Sequence, residues 1–369
     1  MNFSYCKRCN AYTLFCLCLF FNAIFITSKA QDSSETRLIG FVDGFYRVNS
    51  PSSGVGGRQS FLFNHNRERV PTINLLVLGI EHQAPRLRAA LKVQAGSYVN
   101  DNYSDEPVAF RPIHEARIGL ALNKKKNLWL DAGLFASHIG FESAISADNA
   151  TLSRSLLAEN SPYYETGLRL QFAPTTTMEG SILLLTGWQS ILPVEGSSLP
   201  GIGTQFLYKK EGWLLNWSSF TGTLYPDSAR RLRFFQNFYA QKSWQERVYF
   251  TLGFDIGAEQ NQKGSSTYHW WYSPVFLVRY QANKRWYYGL RGEWYHDRQV
   301  AMVASPSGVG FSALGWSLNA DYQAANNLLL RAELRQLRSK GADFSTVSGF
   351  TTNQLSLLAS VSWKWNRKI

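Results

Sequence analysis

The chain is 369 residues long, with a formal net charge of +12 and a mean hydropathy of −0.22. It is 15% aromatic, with 12 Trp, 18 Tyr and 24 Phe. So many anchoring rings at so low a hydropathy exclude a helical membrane protein, and the length allows one large domain or two ordinary ones.

Residues 1–30 stand apart from the rest. Lys7 and Arg8 give a short positive start, 14–26 is apolar except for Asn22, and Ser28 and Ala30 are small residues at cleavage-site spacing. This pattern predicts a secretory signal peptide over 1–30, removed before Gln31, because the apolar run is short for a membrane anchor. All four cysteines (Cys6, Cys9, Cys16, Cys18) lie in this leader. The sequence from 31 to 369 therefore carries no disulfide, no thiolate nucleophile and no cysteine metal site.

From there on the recurring signal is a period of two. Alternation runs through 86–97, 115–122, 165–172, 248–259, 286–295, 314–322, 328–335 and 354–365. In the last of these, Leu355, Leu357, Ala359, Val361, Trp363 and Trp365 fall on one face. Ser356, Ser360, Ser362 and Lys364 fall on the other, with Leu358 the single exception. A period of two means a strand with one dry face and one wet face. Runs of about nine to eleven residues suit a tilted strand crossing a bilayer, whereas strands of soluble sandwiches average about five or six. Rings gather towards the strand ends, as at Trp213, Trp217, Trp286, Trp294, Trp363 and Trp365, where a bilayer's interfacial girdles would lie.

Short polar connections at 123–127, 173–177, 282–285 and 324–327 alternate with long ones at 49–71, 100–111, 140–163, 189–200, 297–308 and 339–353. No linker and no shift in composition divides the sequence. The expected fold is all-β: one transmembrane antiparallel β-barrel over 31–369, with about 16 strands in a range of about 14 to 18.

In that register the wet faces carry Arg86, Arg88, Lys92, Arg117, Arg169, Arg291, Arg331 and Arg335, together with acids such as Asp131, Glu165, Glu293 and Glu333. Arg or Lys facing lipid at the midplane costs about 2–4 kcal/mol, so these residues argue for a wet interior. Basic residues exceed acidic ones there, which favours anions; neighbouring Arg and Glu could also simply neutralise each other across strands. Inward glycines, among them Gly119, Gly253, Gly257 and Gly315, leave room for an open pore. The 140–163 segment is long and carries Glu142, Asp148, Asn149, Arg154 and Glu159. A loop of that length is a candidate constriction folded into the barrel, with an outer surface loop as the alternative.

The most specific stretch runs Leu134-Phe135-Ala136-Ser137-His138-Ile139-Gly140-Phe141-Glu142, then Asp148-Asn149, Ser153-Arg154-Ser155 and Pro162-Tyr163-Tyr164-Glu165-Thr166-Gly167. A further piece, Leu183-Leu184-Leu185-Thr186-Gly187-Trp188-Gln189, follows. In this order the motifs resemble the OmpL-like β-barrel porin family of Gram-negative outer membranes. The resemblance is recognisable in motif between Ile113 and Gln189. It implies an outer-membrane pore for passive diffusion of small hydrophilic solutes, embedded in the lipid bilayer and placed there by the barrel assembly machinery. Homotrimers are common for such barrels, although no feature of the sequence demands one.

Other classes fit less well. A barrel phospholipase needs a His close to its Ser nucleophile, and none of the six histidines has that spacing. His296-Asp297 suggests a protease pair but lacks a second acidic pair. Strands that begin near Leu38 leave no room for the N-terminal plug of an energised receptor. No HExxH, P-loop or GxGxxG occurs, so no metal or cofactor is expected. The dispersed basic residues give no nucleic-acid patch. A structural or adhesive barrel with a packed lumen remains the main alternative to a channel.

Overall fold

The alternating segments all become strands in the computed structural model, which describes residues 34–369. The leader expected at 1–30 lies outside the described residues. In chain order the strands are β1 (Glu35–Ser50), β2 (Thr72–Gln83), β3 (Leu87–Ala95), β4 (Ile113–Ala121), β5 (Leu128–Ala136), β6 (Tyr164–Phe172), β7 (Met178–Leu185) and β8 (Gly201–Lys210). They continue as β9 (Trp213–Gly222), β10 (Arg233–Trp244), β11 (Val248–Gln260), β12 (Tyr268–Gln281), β13 (Trp286–Asp297), β14 (Phe311–Ala325) and β15 (Leu328–Ser339). A small hairpin of β16 (Phe344–Thr346) and β17 (Gly349–Thr351) precedes β18 (Asn353–Lys368).

Among the described residues, β1–β15 and β18 form a closed antiparallel barrel of 16 strands, in which every strand pairs with its sequence neighbours. Closure comes from β1 against β18, in unbroken register from Arg37↔Lys368 to Ser50↔Leu355. Closing the sheet removes the edges that a membrane would leave unpaired. Along β18 the expected faces separate: Leu355, Leu357, Val361 and Trp363 are exposed, while Gln354, Ser356, Ser360 and Ser362 are buried inward.

Connections at one end are short and those at the other are long, as on the two sides of an outer-membrane barrel. Four long loops enter the lumen. Phe61 and Leu62 (51–71 loop), Leu156 (137–163 loop), Trp188 (186–200 loop) and Val303 (298–310 loop) pack with inward Phe220, Phe235, Trp271 and Phe311. The long-loop half of the lumen is thus packed around an apolar cluster, with buried charges such as the Arg233–Glu259 pair beside it, while Arg88, Asp131 and Arg169 lie toward the short turns. The space beside the inward glycines is filled as well, so they do not leave the expected opening. Phe141 of the 137–163 loop lies against Gly253, and Trp271 against Gly257.

Candidate functional site

The 137–163 loop leaves the wall where Gly133 faces Gly167 across β5 and β6. Both have positive φ, 125° and 153°, and a Cβ at either would strike a backbone carbonyl of the adjacent strand, that of Ala116 or Leu184. Only glycine fits both demands. Beyond this kink His138 is pinned inside the barrel: Nδ1 lies 2.8 Å from Glu165, and Nε2 lies 2.9 Å from the Ser219 carbonyl.

The loop then crosses the lumen to β13, β14 and β15. The wall accepts its N–H groups: Leu152 N donates to Asn319 Oδ1 (2.8 Å), Ser153 N to Glu333 (2.6 Å) and Leu156 N to Glu293 (2.6 Å). Wall arginines cap its carbonyls, with Arg291 donating to Ser153 O (2.6 Å) and Arg331 to Ser146 O (2.7 Å) and Asn149 O (3.2 Å). A short helix, α1 (Ser97–Asn102), lies in the preceding long loop, and a second, α2 (Leu156–Glu159), is capped by Ser155 accepting from Ala158 N. Leu157 and Ala158 of α2 pack on inward Val275 and Leu277 of β12. Apolar burial and reciprocal backbone capping together hold the loop as part of the wall.

The predicted loop residues are all placed by this crossing. Glu142 accepts from the N–H and hydroxyl of Ser155. Asp148 pairs with Lys364 (2.5 Å), and Asn149 accepts from Ser143 N (2.7 Å). Arg154 stacks over the Tyr163 ring at 3.6 Å, and Glu159 accepts from Phe63 N (2.8 Å) and the Tyr163 hydroxyl (2.9 Å). Burial pushes the Glu159 carboxyl above its ordinary range, against the opposing pull of Arg154.

The eight predicted basic residues do not form one set. Arg86 is exposed in the turn before β3, donating to Ala121 O (3.3 Å), and is off the wall because β3 begins one residue later. Arg291, Arg331 and Arg335 have side chains at most 1% exposed, locked behind the loop. They pair with Glu333 (2.8 Å), Asp321 (2.8 Å) and Glu293 (2.7 Å) respectively, so their charge is neutralised across strands. Arg88, Lys92, Arg117 and Arg169 are 15–21% exposed to the wet half. Arg88, Arg169 and Arg117 converge on Asp131, at 2.5, 3.0 and 3.7 Å, while Lys92 bridges Glu81 and Glu115. Arg117 pairs more closely with Glu115, at 2.5 Å, so these four cations meet three carboxylates (Asp131, Glu115 and Glu81) and one positive charge is left in excess.

Arg279 was not anticipated in this set, although it pairs with Asp321 at 3.0 Å. Its strand contains Val275-Phe276-Leu277-Val278, apolar on both faces because Val275 and Leu277 pack under the loop, so no alternation marks it. The suggested His296-Asp297 pair separates. His296 stacks on Tyr272 (4.8 Å) in the outer aromatic belt, while Asp297 is buried and accepts from Ala301, Met302 and Val303 N–H groups. Residues on opposite faces of one strand cannot act on a shared water.

Several solved structures share this architecture. The anion-selective porin of Comamonas acidovorans matches with a TM-score of 0.61 at 10% identity, over 90% of this chain and 100% of that one. The outer membrane channel DcaP of Acinetobacter baumannii gives 0.59 at 12% identity, over 92% and 99%. The trimer form of OmpT, an outer membrane protein of Vibrio cholerae, gives 0.60 at 7% identity, over 90% and 100%. At such identities the likeness is one of fold. No curated protein matches the chain in sequence. Residues 35–364 match the family described as "Putative beta-barrel porin-2, OmpL-like", and the chain, an outer-membrane porin, belongs to that family.

Proposed function

We propose that the barrel is a passive diffusion channel for small hydrophilic solutes, narrowed by the 137–163 loop and weakly selective for anions. The observation that carries this reading is the cluster of Arg88, Lys92, Arg117 and Arg169 in the wet half, one positive charge in excess of the Asp131, Glu115 and Glu81 carboxylates they pair with. Positive side chains lining a pore favour anions, and the anion-selective porin among the fold relatives is consistent with it. No covalent chemistry enters this reading. Five of the six histidines are engaged in ring packing or hydrogen bonds: His65, His82, His114, His138 and His296.

The same reading includes a homotrimer. On β2–β7 the exposed outward side chains are aliphatic, among them Ile80, Leu91, Leu120, Leu170 and Leu184, with Phe172 at a turn the exception. On β9–β14 they include Trp217, Trp244, Trp270, Trp286, Trp294 and Trp316. Strands β3–β7 are only 8 or 9 residues long, against 12 to 15 for β10–β15. A sector without the ring girdle that lipid contact favours is suited to contact between copies.

Single-channel recording of the purified chain in KCl tests the channel. Steps of current with a reversal potential on the anion side support it, and a silent bilayer overturns it in favour of a packed, structural barrel.

A further inference from the structure

A cavity of about 300 Å³ lies where the inward loop leaves β5, walled by Tyr98, Tyr103, Tyr163, Tyr164 and Tyr239. That is the lower end of the range for small-molecule sites, about 300–1,000 Å³. Two further lining residues, Glu142 and Arg154, set its charge. Among the described residues neither makes an ion pair within 4 Å, and Glu159 acts on Arg154 only from beyond that distance. Glu142 is held only by Ser155. Arg154 is buried and donates through Nη2 to Ala158 O at 3.2 Å, while its Nε and Nη1 have no acceptor. Glu115 also lines the cavity, but Lys92 (2.7 Å) and Arg117 (2.5 Å) neutralise it.

We propose that this cavity binds a dipolar solute, an amino acid or short peptide, with its ammonium at Glu142 and its carboxylate at Arg154. A ligand that displaces water from two charges without a direct ion pair must bring their counter-charges or leave them desolvated at a cost. A neutral polyol supplies neither, and a simple anion satisfies Arg154 while meeting Glu142. The tyrosine walls suit both the ammonium and an apolar side chain. The proposal rests on the channel reading. The cavity shares Phe141, Glu142 and Gln241 with a second one lined by Asp148 and Arg279 in the wet half of the lumen, which gives a solute its route.

The test compares four probes as blockers of the KCl current through the full chain: phenylalanine, its amide, 3-phenylpropionate and glucose. Phenylalanine is expected to block at about tenfold lower concentration than each of the others, since each lacks at least one charge-assisted bond. Glu142→Gln should abolish its advantage over 3-phenylpropionate, and Arg154→Gln its advantage over the amide. Glucose blocking as well as phenylalanine, or both variants weakening all four probes alike, overturns the site. If the bilayer is silent the channel reading fails. Equilibrium dialysis of radiolabelled phenylalanine against the detergent-solubilised chain then decides the site by itself, saturable binding supporting it and its absence overturning it.

Discussion

Ser153 and Glu333, 180 residues apart, are joined twice: the Ser153 N–H donates to Oε2 at 2.6 Å and its hydroxyl to Oε1 at 2.9 Å. The same carboxylate pairs with Arg291 at 2.8 Å, so one side chain ties the loop to the wall and balances a buried cation. Glu333→Ala removes both roles. Breaking one side of a buried pair costs about 3–5 kcal/mol, so the unfolding midpoint in urea should drop sharply. The unpinned loop should also give a larger and noisier single-channel current. Glu333→Gln keeps one acceptor and should fall between the two.

Asp131 is the only carboxylate within 4 Å of Arg88 and Arg169 among the described residues, and Arg117 lies 3.7 Å from it. Asp131→Asn should therefore move the zero-current potential further to the anion side, and Arg169→Gln should move it back. Screening lengths fall from about 10 Å at 0.1 M salt to about 3 Å at 1 M. Both shifts should accordingly shrink when the potential is measured at high KCl. Equal shifts at both salts would mean the variants change pore shape and not charge.

The barrel was legible because each strand must show lipid one face and water the other, and residues such as those of 354–365 record that period of two directly. The loop's importance was legible too, from its length and from acids such as Glu142. What the period could not record is how far the lumen is filled. Val275 and Leu277 point inward yet are apolar, because Leu157 and Ala158 pack on them. Arg291 and Arg335 alternate just as Arg88 does, and only the loop's position separates the sealed arginines from the wet one. Alternation assigns a side chain to a face, whereas contacts made by distant loops decide what that face meets.

Leu156 is fully buried where the loop meets the apolar half of the lumen, in the cluster that includes Phe61 and Phe235. Leu156→Ala should cost about 2–5 kcal/mol, as other large-to-small changes in packed interiors do. Its backbone N–H still reaches Glu293, so the ion pairs behind the loop should persist and anion preference should be unchanged. A loss of stability together with a changed reversal potential would mean that packing, and not the polar capping, sets the loop's position.

Two loop carboxylates give opposite pH dependence. Burial pushes Glu68 up, but hydrogen bonds from the Ser52 hydroxyl, the Ser53 N–H and the Asn49 amide outweigh it and hold its carboxyl below the ordinary value. The folded chain then binds that proton less tightly than the unfolded chain. Glu68 contributes stability above the unfolded carboxylate value, about 4.3, and the contribution is lost as pH falls through the lower folded value. Glu159 has the reverse sign, because burial raises its carboxyl: its contribution is present below the unfolded value and is lost as pH rises through the folded one. Glu68→Gln should lower the urea midpoint at neutral pH and lose that effect in acid. Glu159→Gln should raise the midpoint at neutral pH relative to acid, since glutamine can still accept from Phe63 N without carrying charge. Midpoints measured for both variants from about pH 3 to about pH 8 separate the cases, and parallel curves for the two would refute the assignment of burial as the dominant influence on Glu159.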